Sequence, residues 1–94
     1  MFINVKFIGS LHSLSGKAGL RLSVENPVSM RQVVKRIVGE APNLRRVLVN
    51  PESETPMASV LVLVNGKEIS VLNGFETVVK AGDEVVFVPV VHGG

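Results

Sequence analysis

The residues best suited to chemistry in this chain are its last two, Gly93 and Gly94. Glycine has the least steric bulk and the most backbone freedom, so the pair can enter a narrow channel and present a bare carboxylate. Activating that carboxylate requires its attack on a phosphoryl group, and then attack of a sulfur or nitrogen nucleophile on the acyl carbon. A side chain at position 94 would crowd that carbon. The alternative interpretation is a frayed end without function.

An apolar run precedes the glycines and predicts the strand that must hold them. Residues 84–88 read E-V-V-F-V and are rich in β-branched side chains, which favour strands. Pro89 then removes a backbone donor, and we expect it to stop the strand pairing. Residues 89–94 are therefore expected to form a flexible tail ending at Gly94. The residues that would thread this tail into a partner are Pro89, His92 and Gly93.

The totals are those of one small globular domain spanning residues 1–94. The chain is 46% hydrophobic and 19% charged, with a formal net charge of +2. No apolar segment approaches the roughly 20 residues of a membrane-spanning helix, and residues 1–7 do not resemble a signal peptide. We expect a cytoplasmic protein without a membrane partner.

The composition excludes several kinds of site. Cysteine is absent, so disulfides, iron–sulfur clusters, thiolate zinc sites and catalytic thiols are all excluded. The two histidines, His12 and His92, have neither cysteine nor a paired aspartate near them in sequence, and no metal site is predicted. No catalytic triad, paired carboxylates or phosphate loop appears, so we expect a protein that is not itself an enzyme.

The first half predicts two strands and one helix. Residues 2–8 and 20–24 alternate between apolar and polar side chains, as half-buried strands do, with the odd-numbered side of the first strand inward. Residues 9–19 read as a loop with room for one helical turn. Ser29 and Gln32 predict a capping box, and residues 30–38 carry one apolar stripe at helical spacing. Residues 44–49 are compatible with a helical turn or an extended segment.

The second half predicts strands alone. Residues 50–56 form a polar loop, and residues 60–64 are uniformly apolar, as a strand covered on both faces would be. Asn65-Gly66 is the favoured dipeptide of a type I′ turn, which would return the chain along residues 67–71. The resulting order predicts an α+β fold of the β-grasp (ubiquitin-like) type: a mixed sheet of four to five strands on one main helix, with its first and last strands parallel at the centre.

Three segments resemble the ubiquitin-like sulfur-carrier proteins, MoaD/ThiS-like, and above all the small subunit of molybdopterin synthase. They are residues 60–69 (V-L-V-L-V-N-G-K-E-I), residues 80–89 (K-A-G-D-E-V-V-F-V-P) and the terminal glycines. The resemblance implies that a ubiquitin-activating-type enzyme uses ATP to adenylate Gly94. A sulfur donor then converts the acyl adenylate to a thiocarboxylate. The carrier itself holds no cofactor, and in molybdopterin synthase its tail enters the large subunit.

The tail departs from the molybdenum branch of that family. Val90 follows Pro89, and His92 stands where a small residue is usual. A histidine directly before the glycines is instead similar to the ubiquitin-related modifier, whose thiocarboxylate serves tRNA thiolation and which is also joined to lysines. The favoured setting is molybdopterin synthesis, with the modifier as the alternative and a non-catalytic β-grasp interaction module as an alternative of another class.

Two surfaces are candidate partner sites. One helix covers only one face of a sheet, so apolar residues on the other face would form a docking patch beside the tail. The residues proposed for it are Val60, Val62, Phe75 and Phe87, although core membership is the commoner fate of each. A second surface is basic. Its residues are Arg31, Lys35, Arg36, Arg45 and Arg46, but with so small a net charge we expect no nucleic-acid partner.

Overall fold

A hairpin of two antiparallel strands opens the fold of the computed structural model, which describes residues 1–49 and 60–90. Strand β1 (Phe2–Phe7) pairs with strand β2 (Gly19–Ser23). The burial of β1 alternates strictly, with its odd-numbered side chains buried, as predicted. The connection contains a short helix, α1 (Ser10–Ser15), where the sequence predicted a loop with room for one helical turn.

The main helix, α2 (Met30–Glu40), begins at the predicted capping box. The Ser29 hydroxyl accepts a hydrogen bond from the Gln32 backbone N–H at 3.2 Å, and the Ser29 N–H donates to Gln32 Oε1 at 3.0 Å. The whole predicted apolar stripe of α2 is buried, and its residues are Met30, Val33, Val34, Ile37 and Val38.

The chain stays helical after α2. A 3₁₀ turn (Pro42–Leu44) leads into a short helix, α3 (Arg45–Leu48). The helical alternative for residues 44–49 is therefore the right one, and the burial of Leu44 and Leu48 explains it, since both side chains join the core. The predicted polar loop, residues 50–56, lies outside the described residues.

The second half of the chain supplies the rest of the main sheet. Strand β4 (Val60–Val64) turns at Asn65 and Gly66, which both have positive φ, 50° and 85°. A type I′ turn requires this. Strand β5 (Lys67–Glu68) is shorter than the predicted strand, because the chain enters a 3₁₀ turn at Ile69–Val71 and buries Ile69.

The last strand, β7 (Glu84–Pro89), lies at the centre of the sheet, whose order is β2-β1-β7-β4-β5. It runs parallel to β1 and antiparallel to β4, so the predicted parallel pairing at the centre is confirmed. A second sheet of two short strands, β3 (Val28–Ser29) and β6 (Val78–Val79), was not predicted. Two residues per strand are too few to show an alternation.

The sheet has an inner face, which shares one core cluster with α2, and an outer face. The inner face carries the odd-numbered residues of β1 and β7 and the even-numbered residues of β4. On the outer face Leu61 is 39% exposed and Leu63 is half-buried. The prediction that β4 is covered on both faces is thus wrong, because an all-apolar strand here serves one core face and one accessible face.

Candidate functional site

The candidate site is the end of β7, where the sheet delivers the chain toward its terminus. Strand β7 is bonded on both sides, and the Ile8 N–H donates to the Phe87 carbonyl at 3.0 Å. The rings of Phe7 and Phe87 lie 6.0 Å apart at 42°, and Phe87 is fully buried. The strand that leads to the tail is therefore among the best anchored elements of the domain.

Pro89 ends the pairing of β7 with β1. In a parallel pair the bonded residues alternate along a strand, and the Ile8 bond to Phe87 places the next donor of β7 at position 89. Proline has no N–H to give to the Ile8 carbonyl. On the other side Pro89 still lies opposite Val60 of β4. The predicted stop at Pro89 is confirmed for the β1 side, and Val90 is the last residue described.

An apolar surface lies on the outer face directly below this exit. We call it the outer patch, defined by Leu61, Leu63, Val86 and Val88. Leu61 is opposite Val88 and Leu63 is opposite Val86 in the register, so the four side chains form two adjacent cross-strand pairs. Ile8, 44% exposed, follows β1 beside them. Aliphatic residues that reach water in one contiguous group are suited to binding a protein.

The docking patch expected from the sequence is wrong for Val62 and Phe87. Val62 and Phe87 lie opposite each other on the inner face and are 3% and 0% exposed. Val60 and Phe75 are half-buried and pack against the core. The choice failed because a uniformly apolar strand does not show which of its faces is covered.

A signal in the sequence does identify the β7 half of the outer patch. Glu84 begins β7 and needs water for its carboxylate, and its side chain forms an ion pair with Lys6 on the outer face at 2.9 Å. Because side chains alternate along a strand, Val86 and Val88 share the side of Glu84. The charge at one end of the strand thus fixes the orientation of its apolar residues.

The entrance of β7 is fixed by a buried carboxylate. Asp83 Oδ2 accepts from the Lys80 N–H at 2.9 Å, and Oδ1 accepts from Asn65 Nδ2 at 3.0 Å and Lys80 Nζ at 3.1 Å. Burial alone raises the pKa of Asp83, but these hydrogen bonds and the Lys80 charge outweigh it, so the net pKa is lowered. The Asn65 amide oxygen also accepts from the Glu84 N–H, which ties the β4–β5 turn to β7.

The predicted basic residues share one surface only in part. Arg31 pairs with Glu76 at 3.1 Å, and Arg36 Nη1 donates to the Ser23 carbonyl at 2.6 Å. Arg31, Lys35 and Arg45 line one groove of about 220 Å³ between α2 and α3. These three residues of the predicted basic face therefore lie together, whereas Arg36 is directed toward β2.

The predicted tail residues His92, Gly93 and Gly94 lie outside the described residues. The flexibility of the tail therefore stays a prediction. Within residues 1–49 and 60–90, no group of three or more histidine, aspartate or glutamate side chains is arranged to hold a metal ion. In the same part of the chain, no helix combines the length and apolar character needed to span a bilayer.

Comparison with known proteins identifies the family. The profile of the Urm1 (Ubiquitin related modifier) family matches residues 2–94. A Ubiquitin-related modifier 1 homolog of Caenorhabditis elegans is 24% identical over 95 residues, covering 98% of this chain and 95% of that protein.

Solved structures share the whole architecture. The solution structure of small archaeal modifier protein 1 from Methanosarcina acetivorans is 30% identical, with a TM-score of 0.86 over 99% of this chain and 96% of that one. A putative molybdopterin converting factor, subunit 1, from Pyrococcus furiosus has a TM-score of 0.75 over 97% and 99% of the two chains, at 17% identity. The β-grasp prediction and the resemblance to ubiquitin-like sulfur carriers are confirmed, and the chain belongs to the Urm1 (Ubiquitin related modifier) family.

Proposed function

We propose that this protein is a carrier whose reacting group is the carboxylate of Gly94. A carboxylate oxygen attacks the α-phosphorus of ATP on a ubiquitin-activating-type enzyme, forming the acyl adenylate and releasing pyrophosphate. A sulfide-level donor then attacks the acyl carbon, a C–S bond forms, and AMP leaves with the C–O electron pair. The product is a thiocarboxylate, and no net oxidation occurs. The carrier supplies no catalytic side chain to either step.

The observation that carries the proposal is the position of β7. A central strand, bonded to both neighbours, stops at Pro89 beside the outer patch. This geometry offers a partner a fixed apolar surface and, next to it, the root of a chain segment ending in two glycines. Binding at the outer patch would hold the terminus close to a partner's active site, so that its entry no longer requires a separate encounter of the two proteins.

The use of the loaded carboxylate is proposed from the family. Membership of the Urm1 family and the likeness to an archaeal modifier protein favour two uses, transfer of sulfur to an acceptor such as tRNA and attachment to lysines. In either use Gly93 would be the slender neighbour of Gly94, and with His92 and Pro89 it would thread the tail into the enzyme.

Molybdopterin synthesis is the second candidate use. The shared fold with a putative molybdopterin converting factor subunit supports it. In that case the partner would be the large subunit of molybdopterin synthase, and the same outer patch would serve as the contact. All three uses begin with the same adenylation of Gly94 and differ in the acceptor.

Carrier-dependent ATP–pyrophosphate exchange tests the activation step. The adenylating enzyme from the same genome should exchange labelled pyrophosphate into ATP only when the full chain is present. Deleting Gly94 should abolish the exchange without changing the unfolding temperature. Undiminished exchange with the deletion variant would contradict the assignment of Gly94.

The products of parallel reactions then distinguish the candidate acceptors. The loaded protein is offered a lysine-containing target, a tRNA-thiolating enzyme and a molybdopterin synthase large subunit in parallel reactions. Covalent adducts or thiolated tRNA would support the modifier branch. Sulfur transfer only in the reaction with the large subunit would support the molybdenum branch.

A further inference from the structure

Strand β2 forms one edge of the five-stranded sheet, and half of its backbone groups point away from the sheet. The Phe7 N–H donates to the Ala18 carbonyl at 2.9 Å, and the Val24 N–H donates to the Met1 carbonyl at 3.0 Å. These bonds mark the two ends of the ladder with β1. Since bonded pairs alternate along antiparallel strands, the groups turned outward belong to Gly19, Arg21 and Ser23.

These outward groups have almost no partner in the described part of the chain. The Ser23 carbonyl accepts from Arg36 Nη1 at 2.6 Å. Within residues 1–49 and 60–90, the outward backbone N–H and C=O groups of Gly19 and Arg21 make no hydrogen bond. An edge of this kind is a template for pairing with another extended chain.

The edge is positively charged. The Arg21 guanidinium lies 4.0 Å above the Phe2 ring on the outer face, and Arg36 reaches the far end of the strand from α2. Lys17 is exposed just before the strand, and Glu25 is the exposed carboxylate beyond it. Pairing with a second copy of β2 would bring Arg21 toward Arg21, which like-charge repulsion opposes. Charge complementarity therefore selects an acidic strand from another protein.

The two sides of the edge differ in polarity. On the inner side Leu20 is half-buried and packs against the core, so it offers apolar contact. On the outer side Gly19 lies opposite Lys6, and because it has no side chain the backbone edge is uncovered there. A Cβ at Gly19 would sit 2.1 Å from the Val5 carbonyl oxygen, so the close approach of β1 requires glycine there. An added strand thus meets cations on one side and an aliphatic surface on the other.

We propose that the β2 edge binds an extended segment of a partner protein, in which acidic and apolar residues alternate, by antiparallel strand addition. The acidic side chains would lie on the outer face beside Arg21, and the apolar ones would lie beside Leu20. A single-stranded nucleic acid fits less well, because it pairs with no strand edge and the one ring beside the edge, that of Phe2, is already covered by Arg21.

This site is independent of the proposed carrier chemistry. Strand β2 is two strands from β7, a separation of about 10 Å, so a bound segment leaves the outer patch and the tail accessible. The edge would recruit a partner while the terminus is engaged elsewhere. Failure of peptide binding would leave the pyrophosphate exchange of the full chain unaffected, and the converse also holds.

The test uses the ¹⁵N-labelled full chain and a synthetic peptide of alternating aspartate and valine. We expect the backbone amides of Arg21 and Ser23 to shift and to gain protection from hydrogen exchange. In an antiparallel pair the peptide residue opposite Arg21 shares its face and exchanges backbone bonds with it. N-methylation of the aspartates should therefore abolish binding, whereas N-methylation of the valines should preserve it.

Charge reversal gives the matched protein variants. Arg21→Glu should weaken peptide binding about tenfold, since it replaces a favourable charge pair by a repulsive one. Lys67→Glu, an exposed change at the opposite edge of the sheet, should leave it within about twofold. The proposal would be overturned if both methylated peptides bound equally well, or if the peptide shifted only the amides of Leu61 and Val86. Dimerisation of the chain, or stronger shifts of the Arg21 and Ser23 amides with an oligonucleotide, would also overturn it.

Discussion

Asp83 shows how one buried side chain positions the strand that leads to the tail. It is 6% exposed and binds both the turn at Lys80 and the side chain of Asn65. Because its pKa in the folded protein is lowered, folding favours the ionised form. The carboxylate thus stabilises the fold above its unfolded pKa, and this stabilisation is lost as the pH falls through the folded pKa.

Replacing Asp83 by asparagine should destabilise the protein by about 1–3 kcal/mol near pH 7. The asparagine side chain keeps one oxygen acceptor, but its NH₂ group would face the N–H donors of Asn65 or Lys80. The variant should also lose part of the fall in stability that the parent shows between about pH 5 and pH 2. Urea unfolding followed by circular dichroism across that range measures both effects.

The control for Asp83→Asn is Glu76→Gln, which removes the exposed ion pair with Arg31. It should change the unfolding free energy by no more than about 0.5 kcal/mol. If both variants retain the full acid dependence of the parent, Asp83 is not its source.

At the scale of single elements, the predictions were right where a short sequence motif is compatible with only one local structure. The capping box at Ser29 and the Asn65-Gly66 turn both appeared as predicted, because each depends on side chains a few residues apart. The inner face of β4 could not be chosen in this way. Its five residues are all apolar, and their orientation depends on pairing with β7, which is distant in sequence.

The Ser29 cap is a measurable part of the stability of α2. Ser29→Ala should lower the unfolding free energy by about 1 kcal/mol, since the Gln32 backbone N–H loses the hydroxyl that accepts its hydrogen bond. Ser13→Ala, an exposed change in α1, should stay within about 0.5 kcal/mol. Thermal unfolding of the two variants side by side compares them, and equal losses would show that the cap contributes nothing specific.

The outer patch should matter for partner binding more than for folding. Leu61→Ser with Val88→Ser removes one cross-strand apolar pair that is partly in water. We expect the kcat/KM of carrier-dependent pyrophosphate exchange to fall at least about tenfold, which corresponds to about 1.4 kcal/mol of lost binding. The unfolding free energy should fall by much less than in a core variant.

The core control for the outer patch is Val62→Ala on the inner face of the same strand. Val62 is 3% exposed, so this variant should be destabilised by at least about 1 kcal/mol. At a temperature where it remains folded, its exchange rate should match the parent. A patch variant that exchanges at the parental rate would show that partners dock elsewhere.

At the scale of the whole molecule, the chain order alone was enough to predict the β-grasp. Two strands, one helix and further strands leave few ways to cover one sheet, and a parallel centre follows from the crossover through α2. The small sheet of Val28–Ser29 and Val78–Val79 escaped prediction because it depends on contacts between distant segments. The docking residues of β4 were not predicted for the same reason, because the neighbouring strands decide which face of an all-apolar strand is covered. In β7, by contrast, Glu84 already indicates the side of Val86 and Val88.

The mass of the loaded protein tests the central claim most directly. After incubation with the adenylating enzyme, ATP and sulfide, the intact chain should gain the mass difference between sulfur and oxygen. Fragmentation should place that gain on Gly94, and the variant lacking Gly94 should gain nothing. An unchanged mass with an enzyme shown to be active on another carrier, or a gain located on any other residue, would contradict the account.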